Sequence, residues 1–86
     1  MTREQILAEI TRSLADDFDV DPALVSASAR LREDLDLDSI DAVDLSVKMQ
    51  ELTGRRVEES TLRAIRTVGD VVDAVARDLA RQESPR

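Results

Sequence analysis

The chain has 86 residues and a formal net charge of −7, and its length allows one small domain whose core cannot also enclose a deep catalytic pocket. The acidic balance argues against a nucleic-acid binder, which shows a basic stripe, and favours basic protein partners reached by electrostatic steering. Because His, Cys, Trp and Tyr are absent, a nucleophile or general base would have to be a carboxylate, a lysine or a hydroxyl, and we do not expect an enzyme.

The first predicted helix starts after Thr2, which forms a capping-box pattern with Gln5. Its apolar residues recur at helical spacing up to about Asp17, at Ile6, Leu7, Ile10 and Leu14. Residues 18–37 lose this periodicity but keep apolar anchors, which are Phe18, Val20, Leu24, Val25, Leu31, Leu35 and Leu37. We therefore predict a long first loop that is fastened to the core, of the kind that often carries function.

The second half of the chain predicts three further helices. Asp38 is the predicted N-cap of the second helix, which runs to about Thr53 and stops at Gly54. A short third helix is predicted over residues 58–62. The last helix begins at the capping pair of Thr67 and Asp70, and its apolar face comprises Val68, Val71, Val72, Val75 and Leu79.

Together these elements predict an all-α fold, a four-helix bundle of three long helices plus one short helix, with a long first loop. We expect a single domain over residues 1–86 with a frayed tail over 82–86. Since Phe18 is the sole aromatic residue, the core should be aliphatic. No apolar run approaches membrane-spanning length and the first residues lack the core of a signal peptide, so we expect a cytoplasmic monomer without a membrane span.

The second helix is apolar on two sides when its residues are placed at intervals of about 100°. One stripe contains Leu45, Met49 and Leu52, and the roughly opposite one contains Ile40, Val43 and Val47. A helix at the edge of a small bundle buries only one face well, so the second stripe is either exposed or covered by the third helix. The neighbouring acids Asp44 and Glu51 favour an exposed docking surface.

The most informative run joins the loop to the second helix and reads Leu35-Asp36-Leu37-Asp38-Ser39-Ile40-Asp41-Ala42-Val43-Asp44-Leu45. Its Asp-Ser-aliphatic-Asp step, after an acidic and Leu-punctuated approach, resembles the prosthetic-group attachment site of acyl carrier proteins, and the similarity extends over nearly the whole chain. The resemblance implies that Ser39 carries phosphopantetheine donated by coenzyme A. The thiol of this arm would hold acyl groups as thioesters for fatty-acid or polyketide-type biosynthetic enzymes.

The resemblance also implies partners. A carrier-protein synthase, which is a phosphopantetheinyl transferase, would supply the base and metal for attachment, so no catalytic residue and no metal ligand is expected in this chain. Ketosynthases and other acyl-chain enzymes with basic docking patches would bind the second helix. The recognition residues implied there are Asp38, Ile40, Asp41, Val43, Asp44, Val47 and Glu51.

Four residues depart from the family pattern. Asp36 replaces the usual glycine and Ile40 the usual leucine. Thr53 stands where many members carry a core phenylalanine, and Lys48 is a cation in an otherwise acidic helix. Lys48 has intrahelical partners at suitable spacings in Asp44 and Glu51. The Gly-Gly-His/Asp-Ser signature of peptidyl carrier domains is absent, which favours acyl over aminoacyl cargo.

Two further expectations concern the pathway and the cargo. The sequence around Ser39 looks like dedicated bacterial carriers of fatty-acid-like or polyketide-like clusters, such as aryl polyene pathways, while primary fatty-acid synthesis remains open. The aliphatic interior predicts that an acyl chain can slide between the second helix and its neighbours, at Leu45, Met49, Ile65 and Val71.

Three rival functions fit parts of the sequence. Asp34, Asp36 and Asp38 alternate like the first ligands of a calcium loop, but its sixth position is Ser39 instead of glycine and its twelfth is Leu45 instead of glutamate. A hydrolase is disfavoured because histidine and a Gly-x-Ser-x-Gly elbow are missing. The alternative from another class is a small acidic helical adaptor without a prosthetic group, which would have no need for Ser39.

Overall fold

The structure, a computed structural model, describes residues 1–83 and is built of four α-helices. They are α1 (Arg3–Asp17), α2 (Ser39–Thr53), α3 (Glu59–Ala64) and α4 (Val68–Glu83). The predicted all-α bundle of three long helices and one short helix is confirmed, and residues 1–83 form no β-strand. Of the predicted frayed tail, Gln82 and Glu83 belong to α4, whereas residues 84–86 lie outside the described residues.

Local hydrogen bonds explain where the long helices begin and end. At α1, the Gln5 amide donates to Thr2 Oγ1 at 3.1 Å and the Thr2 amide donates to Gln5 Oε1 at 2.7 Å, which completes the predicted capping box. At the end of α2, Gly54 adopts the left-handed conformation with φ 71°. Glu58 makes no side-chain cap, and α3 begins and ends later than the predicted residues 58–62.

The core is aliphatic, as predicted. Helix α4 packs against both α1 and α2. Phe18 is only half-buried and lies against this core. The largest fully buried side chains are Ile6, Ile10, Leu14, Met49, Val68, Val71 and Val75.

Backbone hydrogen bonds fasten the long loop between α1 and α2 to the start of α4. The Val68 amide donates to the Ala29 carbonyl at 2.9 Å, and the Gly69 amide donates to the Ala27 carbonyl at 2.8 Å. A Cβ atom on Gly69 would lie 2.8 Å from the Ala27 oxygen, which is too close for any other residue without a shift of the backbone. The Leu31 amide also donates to the Arg66 carbonyl at 2.9 Å.

Side chains of the loop add to this attachment, with one correction. Val20, Leu31, Leu35 and Leu37 are buried as predicted, while Phe18 and Val25 are half-buried. The prediction that Leu24 anchors the loop is wrong, because its side chain is 56% exposed. Leu24 ends a short 3-10 helix (Pro22–Leu24) whose first amide donates to Asp21, and this turn leaves it on the outer side.

Among residues 1–83, no helix combines the length and the apolar character that crossing a membrane requires.

Candidate functional site

Ser39 is the first residue of α2 and is exposed to solvent. The helix start is capped by carboxylates on both sides of it. The Asp41 amide donates to Asp38 Oδ1 at 2.9 Å, and the Asp38 amide donates to Asp41 Oδ2 at 3.1 Å. The Ser39 hydroxyl is therefore not needed for the capping that serines often provide at helix starts.

The same capping keeps Asp38 ionised. The hydrogen bond from the Asp41 amide lowers the pKa of the Asp38 carboxyl, so the residue before Ser39 carries a negative charge at neutral pH. Sequence reasoning identified Asp38 as the N-cap but did not identify Asp41 as its reciprocal partner. The capping-box spacing of three residues was the signal that could have found it.

In the acidic loop segment that precedes Ser39, Asp34 binds a neighbouring residue of the same segment. Asp34 accepts the Arg30 amide at 2.8 Å and pairs with its guanidinium, and the backbone hydrogen bond lowers the pKa of the Asp34 carboxyl. Asp36 adopts a left-handed backbone with φ 57°. Among the side chains that the structure describes, residues 1–80, no group of three or more potential ligands is arranged for a metal ion.

The second apolar stripe of α2 faces solvent. Ile40 is 71% exposed, Val43 55% and Val47 50%, and we call these three residues the docking stripe. On the opposite side Leu45 and Met49 are buried and Leu52 is half-buried. Helix α3 thus leaves the docking stripe uncovered, which agrees with the prediction that the stripe is exposed.

The charged residues near the docking stripe differ in their surroundings. Asp41 is half-buried and engaged in the capping box, whereas Asp44 and Glu51 are exposed. Lys48 Nζ lies 3.0 Å from Asp17 Oδ2 at the end of α1 and 3.8 Å from Glu51 Oε1. The predicted pairing with Asp44 is wrong, because Asp17, distant in sequence, takes that place. The hydrogen bond between Lys48 and Asp17 raises the pKa of the Lys48 side chain.

Thr53 is accommodated in the core without an unpaired polar atom. Its side chain is buried, with 3% exposure. The Arg55 amide donates to Thr53 Oγ1 at 3.1 Å, and the same hydroxyl donates to the Arg55 carbonyl at 3.2 Å. The threonine thus fastens the chain where it leaves α2.

Ser39 lines a cleft of about 700 Å³ between α2, α3 and the long loop, which we call the Ser39 cleft. Its apolar lining consists of Leu31, Leu37, Ala42, Leu45, Leu62 and Ile65. Its charged lining consists of Arg30, Arg32, Glu33, Asp38, Arg63 and Arg66. Two of the four residues predicted to contact cargo, Leu45 and Ile65, line this cleft, whereas Met49 and Val71 are buried beneath the surface.

The arginines of the Ser39 cleft escaped the sequence analysis. They belong to two segments that are separated in the chain and that are joined in the fold by backbone hydrogen bonds, including that of the Leu31 amide to the Arg66 carbonyl and the bridge between Arg30 and Thr67. No periodicity within one helix relates them, so a pattern read along the sequence gives no indication that they share a surface.

Comparison with known proteins gives a consistent result. The family model described as "Phosphopantetheine attachment site" matches residues 8–75. "Acyl carrier protein 2" of Ralstonia nicotianae is 51% identical over 80 residues, which cover 93% of this chain and 99% of that protein. An acyl carrier protein of Saccharopolyspora erythraea is 37% identical over 81 residues, which cover 94% and 85%.

Solved structures show the same likeness. The crystal structure of an acyl carrier protein from Thermotoga maritima superposes with a TM-score of 0.83 at 26% sequence identity, and the match covers 93% of each chain. An acyl carrier protein from Enterococcus faecalis superposes with a TM-score of 0.74, also at 26% identity, and covers 91% of this chain and 99% of that one.

Proposed function

Since the chain belongs to the acyl carrier protein family, whose members carry acyl groups on phosphopantetheine and are not catalysts, we propose that Ser39 bears this arm. The position of Ser39 carries the proposal. It is exposed at the first position of α2, lies at a cleft with an apolar lining, and is left free of the carboxylate capping box. A hydroxyl in this place is accessible to a modifying enzyme.

Attachment at Ser39 requires little chemistry from the chain itself. The Ser39 hydroxyl attacks the phosphorus of coenzyme A that bears pantetheine, its proton passes to a base of the synthase, and adenosine 3′,5′-bisphosphate leaves. The product phosphodiester lies at the N-terminus of α2, where the helix dipole favours negative charge. Once attached, the arm supplies a thiol that holds acyl groups as thioesters.

The docking stripe is the surface that we propose for partner recognition. Exposed apolar side chains beside ionised carboxylates combine contact area with electrostatic attraction. In this proposal Ile40, Val43 and Val47 contact apolar residues of the partner. Basic residues of the carrier-protein synthase, ketosynthases and other acyl-chain enzymes contact the surrounding acids, which are Asp38, Asp41, Asp44 and Glu51.

For the pathway, we propose delivery of acyl groups in the cytoplasm to fatty-acid or polyketide-type enzymes, including dedicated secondary-metabolite systems such as aryl polyene clusters. The apolar part of the cleft lining supports an acyl cargo. Membership of the carrier family argues against the adaptor without a prosthetic group, because such an adaptor needs no attachment site.

Intact-mass measurement tests the attachment. Incubation with coenzyme A and a carrier-protein synthase should add one phosphopantetheinyl group to the chain and none to Ser39→Ala. The matched controls Ser13→Ala and Ser46→Ala should be modified like wild type, since Ser13 is half-buried and the Ser46 hydroxyl donates to the Val43 carbonyl. Unmodified wild type would favour the adaptor, and modified Ser39→Ala would move the site to another hydroxyl.

A further inference from the structure

The lining of the Ser39 cleft contains more arginines than carboxylates although the chain as a whole is acidic. Four arginines and two carboxylates line it, in a protein whose net charge is −7. One wall is α2, which carries Ser39. The arginines lie on the other two walls, which are the long loop and the segment from α3 to α4.

Two of these arginines are already paired. Arg30 Nε lies 3.3 Å from Asp34 Oδ2, and its Nη1 lies 3.8 Å from Glu33 Oε2. Arg63 Nη2 lies 3.2 Å from Glu59 Oε1. Of the two carboxylates in the lining, Glu33 belongs to one of these pairs and Asp38 caps α2.

The remaining two, Arg32 and Arg66, form no salt bridge among residues 1–80, although the charge of Arg66 lies near enough to Asp70 to help lower the pKa of that carboxyl. Their backbones are well held, because the Leu31 amide donates to the Arg66 carbonyl and the Arg66 amide donates to Asp70 Oδ2 at 2.9 Å. Both side chains are exposed. Two guanidinium groups without a salt bridge therefore border the apolar lining of the cleft from neighbouring segments.

Exposed arginines are common on protein surfaces, and Arg77 is another without an ion pair in the described part of the chain. What distinguishes Arg32 and Arg66 is their place around an apolar floor that also reaches Ser39. A ligand that fills such a cleft needs an apolar body and an anionic end. Guanidinium groups suit a carboxylate because they offer several donors in one plane.

We propose that the Ser39 cleft prefers acyl cargo whose far end is a carboxylate. The methylenes of the cargo lie on Leu37, Leu45 and Ile65, and the terminal carboxylate pairs with Arg32 and Arg66. This preference rests on the attachment proposed for Ser39.

Matched cargoes of equal length test the preference. The chain is loaded with octanoyl or octanedioyl phosphopantetheine by a synthase that accepts the corresponding coenzyme A thioesters, and loading is checked by intact mass. The measurement is the rate of thioester cleavage by hydroxylamine, relative to the same thioester of free pantetheine. The octanedioyl group should be cleaved about two- to fivefold more slowly than the octanoyl group, the effect of a partly exposed ion pair.

Arginine variants connect this difference to the cleft. Arg32→Gln and Arg66→Gln should each speed cleavage of the octanedioyl group about two- to fivefold and leave the octanoyl rate unchanged. Arg77→Gln is the control, because it removes an equal charge from α4 outside the cleft. Salt at about 0.5 M should weaken only the octanedioyl protection.

The outcomes separate the two proposals. A chain that gains no mass overturns the attachment at Ser39 and this inference with it. A loaded chain with equal rates for both cargoes overturns the preference alone. Glutamine variants that slow reaction with an acyl-chain enzyme but leave both cleavage rates unchanged would assign the arginines to protein docking instead.

Discussion

At the scale of single residues, Asp36 lies in a conformation that side chains rarely adopt. Its φ of 57° falls in the left-handed region, where an L-residue loses about 1–2 kcal/mol and glycine almost nothing. Aspartate is among the side chains that tolerate this region best. A glycine at this position, which the family resemblance leads us to expect, would suit the left-handed backbone, and Asp36 adopts that backbone with a side chain.

We predict that Asp36→Gly is more stable than Asp36→Ala by about 1 kcal/mol, because only alanine adds steric strain at this φ. Urea denaturation monitored by circular dichroism measures the difference. The control variants are Asp44→Gly and Asp44→Ala, at an exposed position inside α2. Here the alanine variant should be the more stable one, since alanine is favoured over glycine in helices by about 1 kcal/mol. Equal stabilities of the two Asp36 variants would mean that the loop changes conformation there.

Asp70 gives stability a dependence on pH. Hydrogen bonds from the Arg66 and Thr67 amides, the former with the larger effect, lower the pKa of its carboxyl below the ordinary value of 3.8. A carboxyl whose pKa is lower in the folded chain contributes stability above its unfolded pKa and loses it as the pH falls through the folded pKa. Asp34 and Asp38 act in the same direction.

We therefore expect the free energy of unfolding to fall as the pH is lowered below about 4. Asp70→Asn should be less stable than wild type at neutral pH, and its stability should fall less steeply in acid because one titrating group is missing. Urea denaturation at a series of pH values provides the test. Parallel curves for the two proteins would show that Asp70 does not contribute to the acid sensitivity.

At the scale of elements, α2 has one face that is buried in the core and one apolar face that is exposed, and we propose that the exposed face serves recognition. Val43→Asp should change the free energy of unfolding by less than about 0.5 kcal/mol, because an exposed side chain loses little packing. It should nevertheless weaken binding to the synthase. Leu45→Ala, two residues further along and buried with 2% exposure, should cost about 2–5 kcal/mol of stability. A severe loss of stability in Val43→Asp would place the docking stripe in the core.

The helices were predictable where their signals are local. Thr2 with Gln5, and Thr67 with Asp70, lie three residues apart and make the hydrogen bonds that this spacing predicts. Gly54 ends α2 by the same kind of short-range rule. Helix α3 has no side-chain cap at Glu58, so the sequence gives its existence but not its bounds.

Contacts between distant segments were not predictable from one sequence. The Asp17 partner of Lys48 is set by how the end of α1 lies beside α2. In the candidate site, the resemblance of the run around Asp38-Ser39 to a prosthetic-group attachment site identified Ser39, and helix geometry identified the exposed stripe. It did not reveal Arg32 and Arg66, which approach the cleft only after the loop is fastened to the start of α4.

At the scale of the whole molecule, the negative charge should speed encounters with a basic synthase. Asp44→Lys is expected to slow modification of Ser39 about two- to tenfold at low salt without loss of stability, because Asp44 is exposed on α2. Asp16→Lys makes an equal change of charge on α1 and should have a smaller effect. High salt should slow wild type as well.

Asp41→Lys tests the same surface less cleanly. It also removes the acceptor for the Asp38 amide, so a lower melting temperature is expected together with the slower modification. Rates that respond neither to Asp44→Lys nor to ionic strength would contradict electrostatic docking.

The way in which the long loop is held to α4 determines which of its residues can be substituted. Main-chain atoms of Ala27, Ala29 and Leu31 make the hydrogen bonds to the start of α4 and its approach, and a main chain is the same whatever side chains it bears. Exposed loop residues such as Ser26 and Ser28 can thus be substituted, in evolution or by design, while the position of Ser39 is retained. Gly69, in contrast, cannot be substituted without a shift of the backbone, since an added Cβ atom would lie too close to the Ala27 oxygen.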